Sequence, residues 1–426
     1  MLRFVRPPSR RLLAFGGVTG LILGHGCLKS LDESMIRDQP ARAGAGGTGA
    51  TDAGGGRGGT GGEAGTAGSD GSGGIAGTAG IGGSSGTVGT AGTGGSAGQD
   101  AGPSFIPYSA TKYPVTNLLS ATAPVILAAE GQRVYRSTRD AEPANLVAFS
   151  ITGSAGVQIY QNLHKPQASS TIAGSSFVFV AAGEAGTSTA GTVWRVTADP
   201  GDAGTVGQKV TTPAIELAVG IYAASDDFVY VTAKASAAGK PTVLRSEQAA
   251  GKNATSLYAS EGSETAGDVT ASADCVYWIS NGNVWLLPVA GSTMRHSALM
   301  TPVTDAVGLT SDATNFYYTR SNGEVWQRQL SPSACDGSGA AEQRIAAGFT
   351  GIGDVIAWSS AVAWTAKNYT GTGADGAGVF TTPIGGGDIT QIAPKEGEPE
   401  AIAQGADHVV YATATGRIRS VPKVAR

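Results

Sequence analysis

Charge is scarce in this chain: only 15% of its 426 residues are Asp, Glu, Lys or Arg, against about 25% in an ordinary soluble domain. Cations are scarcer still, with 29 Lys and Arg, and Arg3, Arg6, Arg10 and Arg11 all fall in the first eleven residues. Without those four the net charge moves from −4 to −8. Such a chain lacks the Lys and Arg needed to displace counterions from phosphates, which excludes nucleic acid as a partner. Histidine and cysteine are nearly absent, at four and three residues. His164, His296 and His408 show no metal-ligand spacing, and no G-x-S-x-G, H-E-x-x-H or paired-cysteine motif occurs, so the common nucleophilic and metallohydrolase chemistries lack their residues. Long apolar runs are missing too. The longest, residues 12–23, falls well short of the roughly 20 residues that span a bilayer.

That short run nevertheless has a context. A basic head precedes it and small residues around Gly24 and Gly26 follow, the pattern of a secretion signal over 1–26. Within the head, SRRLLA resembles the twin-arginine export pattern, and both general and twin-arginine export stay open. Cys27 follows directly, and LILGHGC resembles the acylation site of bacterial lipoproteins. The resemblance implies lipidation at Cys27 and a lipid anchor in the outer membrane or at the cell surface, or facing the periplasm. Cleavage nearby without acylation is the alternative.

What the chain has in excess is glycine. Of the 63 residues from 41 to 103, 27 are Gly, and most of the rest are Ala, Thr and Ser. This segment cannot bury enough apolar surface to offset the entropy of ordering it, so 27–103 is expected to be a disordered tether. A coil of that composition spans roughly 45 Å root-mean-square. Its G-x-G-x-x-G matches follow no strand and open no helix, so they carry no nucleotide-binding information.

Beyond residue 103 the texture changes to short β-branched and aromatic runs cut by Gly, Asp and Ser, and these recur. Val134-Tyr135, Val178-Phe179, Val229-Tyr230, Val276-Tyr277, Phe316-Tyr317, Val362-Ala363 and Val409-Val410 follow one another at steps of 44, 51, 47, 40, 46 and 47 residues. Each pair is preceded by an apolar strand and a polar turn, and followed by a third strand such as GTVWRV, GNVWLL, GEVWQR or GRIRSV. A variable fourth strand follows in most copies. Four strands per 40 to 50 residues is the size of a propeller blade. The expectation is therefore an all-β, seven-bladed β-propeller over 104–426, with six or eight blades as alternatives. The last copy ends after its third strand, so residues 115–120 are expected to supply its fourth and close the ring.

VYW, G-x-V-W and L-P-V-x-G, seen in CVYWISNGNVWLLPVAG and echoed in VFTTPIGG and IRSVP, resemble the repeats of surface lipoproteins from Gram-negative bacteria and the wider YWTD and NHL propeller families. The resemblance covers about residues 113–426. It implies the propeller fold and says little of function. The leading expectation is a non-enzymatic binding platform tethered in the cell envelope, with the membrane met through the lipid anchor, an unknown protein or carbohydrate ligand, and no cofactor unless Ca2+ is held. The alternative is an extracytoplasmic hydrolase or lyase of the lactonase kind, with a cation at the channel mouth.

Several first strands begin with an acid: Glu216, Asp268, Asp305, Asp354 and Glu400. In register they would form a partial carboxylate ring at the channel mouth, suited to a hard cation such as Ca2+ or a cationic ligand; the alternative is that acids merely end strands. Asp226, Asp274, Asp312 and Asp407 recur in the following turn, where Asp accepts backbone N–H bonds. Trp194, Trp285 and Trp326 in third strands, and Tyr277, Trp278, Tyr317, Tyr318 and Trp364 in second strands, read as packing between blades. Cys275 and Cys335 fall at the same end of neighbouring blades, within reach of a disulfide.

Overall fold

The computed structural model describes residues 104–424, apart from 121–124, 140, 154, 173–174, 184–190, 199–206, 211–216, 225–226, 235–240, 250–253, 261–263, 293, 331–334, 339–340, 371–375 and 395–397. The signal segment, Cys27 and the tether lie outside the described residues, as do Glu216 and Asp226. Every regular element among the described residues is a β-strand, and no helix there is long and apolar enough to cross a membrane.

The recurring pairs share one structural position. Each occupies the second and third residues of its strand: Arg133–Thr138, Phe177–Gly183, Phe228–Lys234, Cys275–Ser280, Asn315–Arg320, Ala361–Tyr369 and His408–Thr413. None of the fourteen side chains is more than 1% exposed. A strand's side chains alternate between faces, so the two members of a pair serve different interfaces. Val276 packs with Tyr230 of the preceding sheet, whereas Tyr277 packs with Leu309 and Phe316 of the next. The third strand follows through a tight turn. Between Ser280 and Asn283 it is Asn281-Gly282, both at positive φ (50° and 69°), the conformation that suits a two-residue hairpin. A Cβ on Gly282 would lie 2.1 Å from the Thr304 carbonyl oxygen, so glycine is required for space as well as conformation.

The strands form antiparallel meanders. Leu217–Ala223, Ala266–Ala271 and Ala306–Ser311 each open a four-stranded sheet, and Phe349–Trp358 opens one to which Phe105–Ile106 adds a short parallel fifth strand. Pro399–Gln404, His408–Thr413 and Arg417–Pro422 are completed by Thr116–Ser120, which pairs with Arg417–Pro422 from the other end of the chain. The remaining sheet has seven strands because Val157–Thr171 runs through two units. Its first half pairs with Ala144–Ser150 and its second half with Phe177–Gly183. The first strands touch in a closed cycle: Val125–Glu130, the second half of Val157–Thr171, Leu217–Ala223, Ala266–Ala271, Ala306–Ser311, Phe349–Trp358, Pro399–Gln404, and back to Val125–Glu130.

Aromatics of the second strands fill the spaces between sheets, as with Tyr277 and Phe316 at 5.1 Å between ring centroids. Those of the third strands join the same interfaces from the rim. Trp194, Trp285 and Trp326 are partly buried and pack against the apolar clusters between sheets, while polar groups meet two of them from outside: the Arg295 guanidinium lies 3.7 Å from the Trp285 centroid, and Trp326 donates Nε1–H to Glu324. Cys275 and Cys335 are disulfide-bonded, with 5.7 Å between their Cα atoms. Beside this link Arg328, with a side chain 1% exposed, donates to the carbonyls of Ala298 and Gly337 and to Glu342. The long loop is therefore held both covalently and by a buried cation.

Candidate functional site

The first strands enclose a cavity of about 780 Å3, within the range of small-molecule sites. Their inner edges have no strand partner, so each is held in its sheet by the second strand alone. Six of them carry a register shift against the second strand, at His164/Ala168, Ala218/Gly220, Ala266/Val269, Ala306/Gly308, Ile352/Val355 and Pro399/Ala401. A bulge of this kind leaves residues unpaired and re-aims their side chains. Gln167, Val219, Asp268, Val307, Asp354 and Glu400 lie in the shifts, and all six line the cavity. Val125–Glu130 has no shift; Arg139, just past the strand that pairs with it, lines the same cavity. Close approach at these bulges also explains Gly308, where a Cβ would meet the Thr319 hydroxyl at 2.8 Å and the Gly353 carbonyl at 3.0 Å.

The acidic first strands are thus partly assembled. Asp268, Asp354 and Glu400 face the cavity. Asp305 does not. It lies one residue before its strand and is paired with Arg320, Nε to Oδ1 2.8 Å, because the bulge there falls on Val307. Among the described residues no three of His, Cys, Asp and Glu are grouped so as to hold a metal ion.

Asp268 accepts a hydrogen bond from the Leu309 amide to Oδ2 at 3.2 Å. Asp354 accepts from its neighbour Val355 at 3.0 Å and from Ile402 at 3.4 Å. Leu309 and Ile402 belong to the next first strand in the cycle, so each carboxyl satisfies an edge N–H and joins two sheets. Burial, and then the charge of Asp354, push the Asp268 carboxyl up to about 7, against the opposing pull of the Leu309 amide and Arg139. Burial pushes Asp354 up to about 6, against the Ile402 and Val355 amides and Arg139. Like charges near one another resist double ionisation, so the charge of Asp354 adds to burial in holding the Asp268 carboxyl above the ordinary range.

Among the turn aspartates, Asp312 fills the role expected of it. Asp312 accepts from the Thr314 and Asn315 amides, both at 2.7 Å, and from the Tyr317 hydroxyl at 2.6 Å. His164, His296 and His408 lie on separate strands, and none lines the cavity. Arg139 carries no signal in the sequence, since it sits at the end of a second strand where nothing recurs.

No family model and no curated protein matches the chain. Solved structures do. A catalytically inactive virginiamycin B lyase from Staphylococcus aureus with quinupristin is similar at 13% identity and a TM-score of 0.52, over 74% of this chain and 100% of that one. The Cps50 (Swd1) beta-propeller domain of Myceliophteria thermophila is similar at 11% identity and 0.51, over 73% and 99%. These likenesses show the fold: the chain contains a β-propeller.

Proposed function

We propose that this protein is an exported, membrane-tethered β-propeller that acts as a non-enzymatic binding platform, displayed at the end of the spacer 27–103 and anchored through lipidated Cys27. Its ligand is a protein, a carbohydrate or a smaller molecule taken at the channel mouth. The anchor is in the outer membrane or at the cell surface. The observation that carries the platform reading is the cavity enclosed by the cycle of first strands, with bulges delivering one side chain from most strands to its wall. A blade count of seven is supported by Val157–Thr171, whose two halves pair with different neighbours and so serve as the last strand of one blade and the first of the next. The repeats' likeness to Gram-negative surface lipoproteins and to the YWTD and NHL propellers supports the same reading, and the basic head, apolar run and Cys27 support export and anchoring.

The test is labelling of expressing cells with a palmitate analogue, in wild type and Cys27→Ser, combined with protease shaving of intact cells. The expected result is label on the wild type alone and removal of the propeller from the cell surface. An unlabelled, cytoplasmic wild-type protein would overturn the reading.

A further inference from the structure

The residues ahead of the closing strand do more than lead into it. Ser104 donates its hydroxyl to Asp388 at 2.5 Å, and its carbonyl accepts from the Ile389 amide at 2.9 Å. Phe105 and Ile106 pair in parallel with Ile389 and Thr390. The Phe105 ring lies 4.6 Å from that of Tyr369 and 6.5 Å from that of Phe380, against the cluster that contains Phe349 and Trp364. Tyr113 and Val115 then pack against the cluster shared by the last two sheets, with Trp358, Val379, Val409 and Tyr411. Only after these contacts comes Thr116–Ser120, which completes the last sheet, with Leu118 reaching the first. Residues 104–120 therefore form one strap across three consecutive sheets, overlapping the place where the two ends of the propeller meet.

Closing the ring needs only 116–120. The attachment at 104–106 is made to a different sheet, the one opened by Phe349–Trp358, which already has four strands from a single stretch of chain. Its place in the chain gives it another consequence. A chain under tension carries load in series, so a pull arriving ahead of Ser104 has to strip Phe105 and Ile106 from that sheet before it reaches Thr116. We propose that Ser104–Ile106 is a sacrificial clip, which takes up tension from the tether 27–103 before the ring-closing strand is loaded and releases a reserve of length when it lets go. It rests on the tethered-platform reading, which supplies the pull. The reserve is the nine residues 107–115, which extend to at most about 30 Å. The clip is small and lies at the surface, with Ser104 exposed and Ile106 37% exposed, so its release leaves the cores between sheets intact. The short connection to Thr116 keeps Phe105 at high effective concentration beside its seat, which favours rebinding once the load falls.

The experiment is magnetic-tweezers spectroscopy of the full-length chain carrying Cys27→Ser, pulled between a tag ahead of Met1 and a thiol handle at Met300→Cys, a position whose side chain is 67% exposed. Cys275 and Cys335 are bonded to each other and do not take the handle. The expected result is a reversible step of at most about 30 Å before each opening of the ring. Phe105→Ala should abolish that step and shorten the life of the closed ring under constant load by about threefold or more, as for loss of an aromatic pair. Ser104→Ala touches no apolar contact and should make the step come earlier, which keeps the test open if Phe105→Ala misfolds. Pulling instead between Met300→Cys and a tag after Arg426 bypasses the clip, and there the variants should open as the unmutated chain does. The proposal is overturned if the ring opens with no preceding step, if the variants last as long as the unmutated chain under N-terminal load, or if they fail equally under C-terminal load. Failure here leaves the palmitate result standing, whereas failure of the palmitate test removes the source of the pull and leaves the measured step unchanged.

Discussion

Asp268 and Asp354 sit in corresponding bulges on two strands separated by the one that carries Val307, and each carboxyl accepts a hydrogen bond from the backbone of the strand that follows it. The arrangement satisfies amides on an open sheet edge, but it also brings two like charges into one cavity. A structural role and a destabilising one thus coexist in the same residues.

Because the Asp268 carboxyl is raised to about 7, from the ordinary Asp value near 3.9, the folded state holds a proton that the unfolded chain has lost. This pair's contribution to stability is therefore most favourable below about pH 4 and declines as pH rises toward 7. Asp268→Asn should raise the melting temperature at pH 8 by on the order of 2 °C, roughly 1 kcal/mol for a large domain, and by less at pH 5. Melting curves of both proteins across that range check it; a lowered melting temperature at pH 8 would contradict it.

Asp312 should behave with the opposite sign. Burial raises its carboxyl, but hydrogen bonds from Tyr317, Thr314 and Asn315 outweigh that and lower it. Its contribution is present above the ordinary carboxyl range and lost as pH falls through the depressed value. Asp312→Ala also strands the hydroxyl of buried Tyr317 and should cost about 2 kcal/mol at pH 7. Urea unfolding at pH 7 and pH 3 should show that deficit shrinking with acidification.

The disulfide Cys275–Cys335 closes a separation of 60 residues. In the chain-entropy account such a link contributes about 4 kcal/mol. Cys335→Ser, or reduction of the wild type, should lower the melting temperature by several degrees, and reductant should have no further effect on the variant. Calorimetry with and without a phosphine reductant reads this directly.

Leu118, 8% exposed, packs with Val134, Phe149, Val410 and Ile418, and so joins the first sheet to the last. Leu118→Ala should cost about 2–5 kcal/mol. Removing 104–120 should do more, exposing the Arg417–Pro422 edge to pairing with other molecules. Size-exclusion chromatography should show the truncated protein as aggregate and Leu118→Ala as a destabilised monomer.

The closing strand shows how much of the fold was legible. A strand-like run at 115–120 with no unit of its own, and a last repeat lacking its fourth strand, pointed to each other; the structure pairs Thr116–Ser120 with Arg417–Pro422. Phe105–Ile106 gave no such signal. Two residues establish no period, and their attachment depends on Phe105 stacking on Tyr369 at 4.6 Å, a partner more than 260 positions away in the sequence.

The candidate site divides in a similar way. Asp268, Asp305, Asp354 and Glu400 look alike in the sequence, each an acid at the head of a first strand, yet only three face the cavity. Arg139 had no pattern to mark it.

What the sequence by itself determined is the repeating strand and turn grammar: the Val276-Tyr277 position, the Asn281-Gly282 turn and the alternation that feeds two interfaces are local consequences of side-chain periodicity and backbone freedom. What only the tertiary structure decided is which side chains meet at the centre. A bulge shifts one or two residues out of register to suit the packing of neighbouring sheets, and that choice lies between strands far apart in the chain. It placed Val307 on the cavity wall, left Asp305 to Arg320, and put Asp268 and Asp354 on the wall of one cavity.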